Sequence, residues 1–257
     1  MIVTQTSYHV MLIITTVLFL LMILMNFLAN ALPINGISTG NVSYRYPNLI
    51  QPSGSAFSIW GIIYLFLTAI IIFFYSKWNT PVSEMSSSLL LVLILFCVSS
   101  VLNVGWLLLW HHYKIVLSTV VMVLLLVSLL WISILVKDSH WLVSTGFSIY
   151  AGWITIATIL NITILFVSIG VPSASSNAII ITSIILIIGA FITILYSITQ
   201  KDYVYALTCI WAYLGILLRH IQKENLQTTY PAIIITTSIS LVFIISTVIY
   251  IFITYKK

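Results

Sequence analysis

Eight stretches of this chain run for about twenty residues each with scarcely a charged side chain, and that repetition limits the fold more than any other feature. They cover residues 10–32, 56–75, 89–110, 115–136, 141–168, 178–198, 203–218 and 233–255. An α-helix rises about 1.5 Å per residue, so about 20 apolar residues cross the roughly 30 Å hydrocarbon layer of a bilayer. Lipid supplies no partner for backbone N–H and C=O groups, which leaves helices or closed barrels as spanning structures. A barrel strand would appear as about ten alternating residues, whereas these runs are continuous. The pattern predicts an all-α, polytopic transmembrane bundle of about eight spans, an integral multi-pass membrane protein. Composition agrees, because only 5% of the residues are charged, against about 25% in a soluble domain.

Turn residues separate the runs. Pro33 closes the first, and a Gly/Asn/Ser-rich loop follows through Ser55, carrying Tyr44, Tyr46, Pro47, Pro52 and a single charge, Arg45. Its prolines stiffen it for lying on the membrane or over the mouth of a cavity. Asn41-Val42-Ser43 within it is a glycosylation sequon, relevant only in a secretory lumen. Gly170-Val171-Pro172-Ser173 ends the fifth run. The seventh, 203–218, is short and interrupted by Thr208 and Gly215, so it is expected either to span with aromatic ends or to be partly re-entrant. Ala29-Asn30-Ala31 resembles a leader cleavage site, but no basic segment precedes the first apolar run, which reads as a retained helix. An even number of spans puts both termini on one side. Counting basic residues in alternate loops gives four against five, which leaves orientation open.

Net charge is +5, but the bases are scattered singly apart from Lys256-Lys257. They are expected to anchor at lipid headgroups, and nucleic acid is not an expected partner. No carboxylate falls inside a span: Glu84, Asp138, Asp202 and Glu224 all sit at ends or in loops. That removes the buried acid of a proton relay or ion-coupled carrier. No metal-spaced cluster, phosphate loop or nucleophilic set is visible, so nothing points to an enzyme. His111 and His112 are adjacent, point about 100° apart on a helix, and read as an interface pair. Cys97 and Cys209 lie inside spans as buried thiols.

Amides and aromatics recur instead at helical spacing. Asn103, Trp106 and Trp110 share one face of the third run; Tyr150, Trp153, Ala157 and Asn161 share one face of the fifth. Trp60 and Tyr64 lie one turn apart in the second. Amides avoid lipid tails, so Asn103 and Asn161 should face other helices or a cavity. Helix-packing glue and the wall of a ligand pocket both satisfy that requirement, and spacing does not choose between them.

The same residues resemble the TspO/MBR family of tryptophan-rich sensory or translocator proteins. Pro52 followed by Phe57, Trp60 and Tyr64 is similar to that family's first loop and second helix. Leu102-Asn103 with Trp106 is similar to its third-helix LNxxW, and Tyr150-Ala151-Gly152-Trp153 with Ala157, Leu160 and Asn161 to its fifth-helix motif. There are departures: Ile149 stands where that motif has proline, Thr68 replaces a glycine, and the loop's Trp-Tyr pair is missing. The resemblance covers about residues 10–168. It implies a TspO-like five-helix bundle over 1–168, with about three further helices over 169–257 as an additional membrane region. It also implies a pocket under the first loop for flat apolar ligands such as tetrapyrroles (a porphyrin) or sterols, lined or supported by Trp60, Tyr64, Asn103, Trp106, Tyr150, Trp153, Ala157 and Asn161. Trp60, Trp106 and Trp153 are expected to converge there. A loose sterol pattern is matched by Leu207, Tyr213 and Arg219, and by Val248, Tyr250 and Lys256. Expected partners are the lipid bilayer, a hydrophobic small molecule, and a second copy or a larger membrane complex. The leading functional expectation is a ligand-binding sensory or translocator-like protein; a small-solute transporter and a structural subunit are the alternatives.

Overall fold

A computed structural model describes residues 4–32, 34–172, 175–226 and 228–255. Pro33, Ser173 and Lys256-Lys257, read above as a helix stop, a turn and a headgroup anchor, lie outside these. Nine α-helices are formed among the described residues: α1 (Gln5–Ala31), a short α2 (Thr39–Tyr44), α3 (Ile59–Ser76), α4 (Leu89–His111), α5 (Ile115–Leu135), α6 (Trp141–Ser168), α7 (Ser176–Gln200), α8 (Tyr203–Gln222) and α9 (Pro231–Tyr255). All but α2 are long and apolar enough to cross a membrane, α3 together with the 3-10 turn Gly54–Ser58 that leads into it. The protein is a polytopic helical membrane protein.

Local chemistry explains several helix ends. Thr4 caps α1 by accepting from the Ser7 amide, and Ser7 returns a bond to the Thr4 amide, a reciprocal box that satisfies two orphan donors. Ser175 caps α7 and Asp202 caps α8 through side-chain acceptors. Lys201 and Lys223 terminate α7 and α8 in the left-handed conformation. The seventh apolar run is therefore one uninterrupted helix that continues four residues beyond Leu218, to Gln222. Thr208 does not break it, because its hydroxyl bonds back to the Val204 carbonyl at 3.0 Å.

The chain forms two compact units: Met1–Thr39 with Gly61–Tyr150, and Gly40–Trp60 with Ala151–Lys257. In the first, α4 packs on both α1 and α5. Phe19, Phe96 and Phe147 form a chain of rings, the first pair tilted at 5.7 Å and the second edge-on at 5.3 Å. The Tyr8 hydroxyl ties α1 to α3 by donating to the Phe74 carbonyl at 2.7 Å. In the second, α7, α8 and α9 pack on one another, and α8 also packs on the turn Gly54–Ser58. Close approach there depends on glycine. A Cβ at Gly152 of α6 would lie 2.9 Å from the Thr208 Cβ and 3.0 Å from the Tyr205 carbonyl oxygen.

Candidate functional site

The second unit holds a cluster of three aromatic rings. Phe57 lies in the 3-10 turn Gly54–Ser58, Trp60 in the first turn of α3, and Trp153 in α6. The Trp153 ring meets Phe57 edge-on at 5.6 Å and Trp60 edge-on at 6.4 Å, the geometry that ring quadrupoles favour. Trp153 is buried, and its indole Nε1 finds no hydrogen-bond acceptor among the described residues. A buried donor left unpaired costs about 1–3 kcal/mol, so this N–H is the spare polar group of the cluster. Ala157 and Asn161 follow on the same face of α6, half-buried and buried respectively. The Asn161 amide bonds back to the Ala157 carbonyl at 3.3 Å.

Residues of α8 that the motif reading missed hold the loop leading into this cluster. Trp211 Nε1 donates to the Ala56 carbonyl at 2.9 Å, and the Ser53 amide donates to the Gly215 carbonyl at 2.9 Å. Arg219 Nη1 donates to the carbonyls of Asn48 at 2.9 Å and Gln51 at 3.2 Å. His220 Nε2 donates to the Leu49 carbonyl at 2.8 Å, and the Gly54 amide donates to Glu224 Oε1 at 3.1 Å. Arg219 is only 4% exposed, so the expectation that it anchors at headgroups is corrected. Its charge is satisfied by backbone carbonyls inside the protein. In the first of the two loose sterol matches Tyr213 is also buried, and it donates to the Leu186 carbonyl at 2.6 Å.

In the first unit Asn26, Asn103 and Tyr150 are paired with one another, while the buried hydroxyls of Ser100 and Ser133 have no partner among the described residues. Asn103 is fully buried; its Oδ1 accepts from Asn26 Nδ2 at 2.7 Å and its Nδ2 donates to the Tyr150 hydroxyl at 3.0 Å. The Tyr150 hydroxyl in turn points to Met22 Sδ at 3.9 Å. Asn103, Trp106 and Trp110 do share a buried face, and the two indoles stack at 5.8 Å. Tyr64 lies on α3 in this unit. His111 is not an interface residue: it is completely buried and clasps the start of the loop. Its Nδ1 donates to the Ile34 carbonyl at 3.1 Å, which leaves Nε2 to accept the Thr39 hydroxyl at 2.9 Å. Asn35 Nδ2 donates to the His111 carbonyl at 3.0 Å and Trp110 Nε1 to the Thr39 carbonyl at 3.1 Å. His112 caps its own helix through the Leu108 carbonyl at 2.8 Å.

Of the eight residues singled out in the sequence, Trp60, Trp153, Ala157 and Asn161 fall in the second unit, and Tyr64, Asn103, Trp106 and Tyr150 in the first. Among the described residues, no group of three or more His, Cys, Asp or Glu side chains is placed to hold a metal ion. Both cysteines are buried free thiols.

Known proteins bear on this arrangement at the level of the whole chain. No curated protein and no solved structure matches it. A family model described as "TSPO-like protein" matches residues 12–252, which reaches from α1 to the last turn of α9 and takes in the helices beyond the fifth-span motif. The chain therefore belongs to the TSPO-like protein family.

Proposed function

We propose that this protein is a ligand-binding sensory or translocator-like membrane protein whose site for flat apolar molecules, tetrapyrroles or sterols, is built on Trp153, Trp60 and Phe57. The observation that carries the reading is the buried Trp153 indole with no acceptor for its N–H. Three ring faces and edges offer stacking surface, and one unpaired donor orients a polar edge of the guest. A ligand carrying a carbonyl or carboxylate at its rim would satisfy both. Ala157 and Asn161 continue the same helix face, one and two turns beyond Trp153. Tyr64, Asn103, Trp106 and Tyr150 serve as bracing residues of the first unit, because the Asn103 amide and the Tyr150 hydroxyl already have partners there.

Protoporphyrin titration of the purified protein in nanodiscs tests this reading. Saturable quenching of tryptophan fluorescence is expected, and Trp153→Leu should weaken binding by about 1–3 kcal/mol, the scale of one buried aromatic contact. Trp153→Phe, which keeps an aromatic ring but deletes the N–H together with part of the indole's volume, should lose about 1–2 kcal/mol. Trp141→Leu, at an exposed position, should change nothing. Linear quenching in the wild type, with unfolding of Trp153→Leu, would make the tryptophans packing residues.

A further inference from the structure

The contacts of α8 with the loop have an order. Along the helix the anchors are Trp211, Gly215, Arg219 and His220; their partners on the loop are Ala56, Ser53, Gln51 with Asn48, and Leu49. From Trp211 through Gly215 to Arg219 and His220 the partners run from Ala56 through Ser53 to residues 48–51, so the loop runs broadly antiparallel along α8. Glu224, just beyond the helix, reaches back to Gly54. The first three anchors are four residues apart, the spacing that keeps them on one face. Every bond uses a loop backbone group, so the loop is held by its main chain. Gly215 permits the approach, since a Cβ there would lie 2.6 Å from the Ala56 Cβ and 3.0 Å from the Pro52 Cβ. Arg219 reaches two loop carbonyls through Nη1 and the Glu224 carbonyl through Nε. The last anchored residue, Ala56, immediately precedes Phe57, whose ring lies against Trp153.

We propose that α8 is the clasp of the Trp153 site: Trp211, Gly215, Arg219 and His220 are positioning residues that hold loop 48–56 down, so that Phe57 and Trp60 close on Trp153, and release of the clasp is the step that admits a ligand. The second half of this statement rests on the ligand-binding reading above; the first does not. Arg219 carries the largest share, with donors spread over Asn48, Gln51 and the Glu224 carbonyl.

Thiol accessibility tests the clasp without any ligand. Ile50, in the clasped segment, is 2% exposed, so Ile50→Cys should react slowly with a water-soluble maleimide, above the background set by the parent protein with its two buried thiols. Adding Arg219→Met or Gly215→Ala should speed labelling about tenfold with helical content unchanged, as expected for a cheaper local opening. Arg219→Lys, which keeps a donor, should restore much of the protection. Labelling at the unmodified rate in folded Arg219→Met and Gly215→Ala proteins would overturn the clasp. If those variants do not fold, Trp211→Phe removes a single donor; it should raise labelling about threefold, and an unchanged rate would again overturn the proposal. Stopped-flow protoporphyrin quenching separates the two readings. Faster association and dissociation in Arg219→Met support a clasp over a ligand site. Faster labelling with no saturable quenching in the wild type supports the clasp and sinks the ligand reading. Saturable quenching with labelling rates unmoved by Arg219→Met and Gly215→Ala does the reverse.

Discussion

The two units differ in how their amides and indoles are partnered. In the first, the interior amides and one phenol answer one another, Asn26 to Asn103 and Asn103 to Tyr150, while His111 holds the Ile34 carbonyl and the Thr39 hydroxyl, and the small hydroxyls of Ser100 and Ser133 have no partner among the described residues. In the second, α8 spends its polar groups on the backbone of a loop, and the Trp153 indole beside that loop is left with a donor unused. Both arrangements begin from similar residues, tryptophans and amides on the inner faces of apolar helices. A closed set of partners stabilises helix packing in lipid, where unpaired polar groups are costly. An unclosed one is what a ligand can complete.

The contrast predicts unequal responses to substitution. The largest effect is expected from Gly152→Val in the second unit, where the new atoms meet the backbone oxygen of Tyr205 as well as Thr208. Backbone cannot rotate aside, and overpacking of this kind should cost about 3 kcal/mol in thermal denaturation in detergent. Asn103→Leu comes next. It removes the acceptor of Asn26 and the donor to Tyr150, and a loss of about 1–2 kcal/mol is expected for interhelical bonds in a membrane. Protoporphyrin affinity should stay within about twofold in that variant, and a large affinity loss at intact stability would erase the division between bracing and binding residues. Tyr213→Phe, which deletes only the bond to the Leu186 carbonyl, should cost about 1 kcal/mol. The smallest change, of opposite sign, is expected for Gly105→Ala on α4: the nearest atom to the added carbon is Val121 Cγ1 at 4.0 Å. Relief of the glycine helix penalty should then stabilise by up to about 1 kcal/mol.

Helix positions were legible wherever lipid alone set the pattern. The run read as 141–168 is the helix Trp141–Ser168, and the run read as 89–110 ends one residue later, at His111. The reading failed at α8, where Arg219 looked like the end of a span. A charge normally marks the membrane surface, but this one is neutralised by carbonyls of a loop about 170 residues earlier in the chain, at 2.9 and 3.2 Å. Backbone carbonyls carry no residue signature, so nothing in the sequence could announce them. His111 was misjudged for the same reason, its Nδ1 partner being the Ile34 carbonyl. The aromatic motifs that pointed to Trp60 and Trp153 did bring two residues whose rings meet. Motif spacing did not reveal that Phe57 makes the shorter contact, nor that Trp153 keeps a free N–H.

What the sequence determined by itself was the solvent, the secondary structure and the family. A chain with 5% charged residues and repeated apolar runs of span length has lipid for its surroundings, and lipid permits it only helices. Those are one-dimensional properties, each settled within about twenty neighbouring residues. Tertiary structure decided which polar groups are answered and which are spare. Satisfaction of a hydrogen bond depends on two atoms lying about 3 Å apart, and the atoms that answer Arg219, His220 and His111 belong to remote backbone. Only the folded chain puts the carbonyls of Asn48, Leu49 and Ile34 where those side chains end, and only the folded chain leaves the indole of Trp153 unanswered.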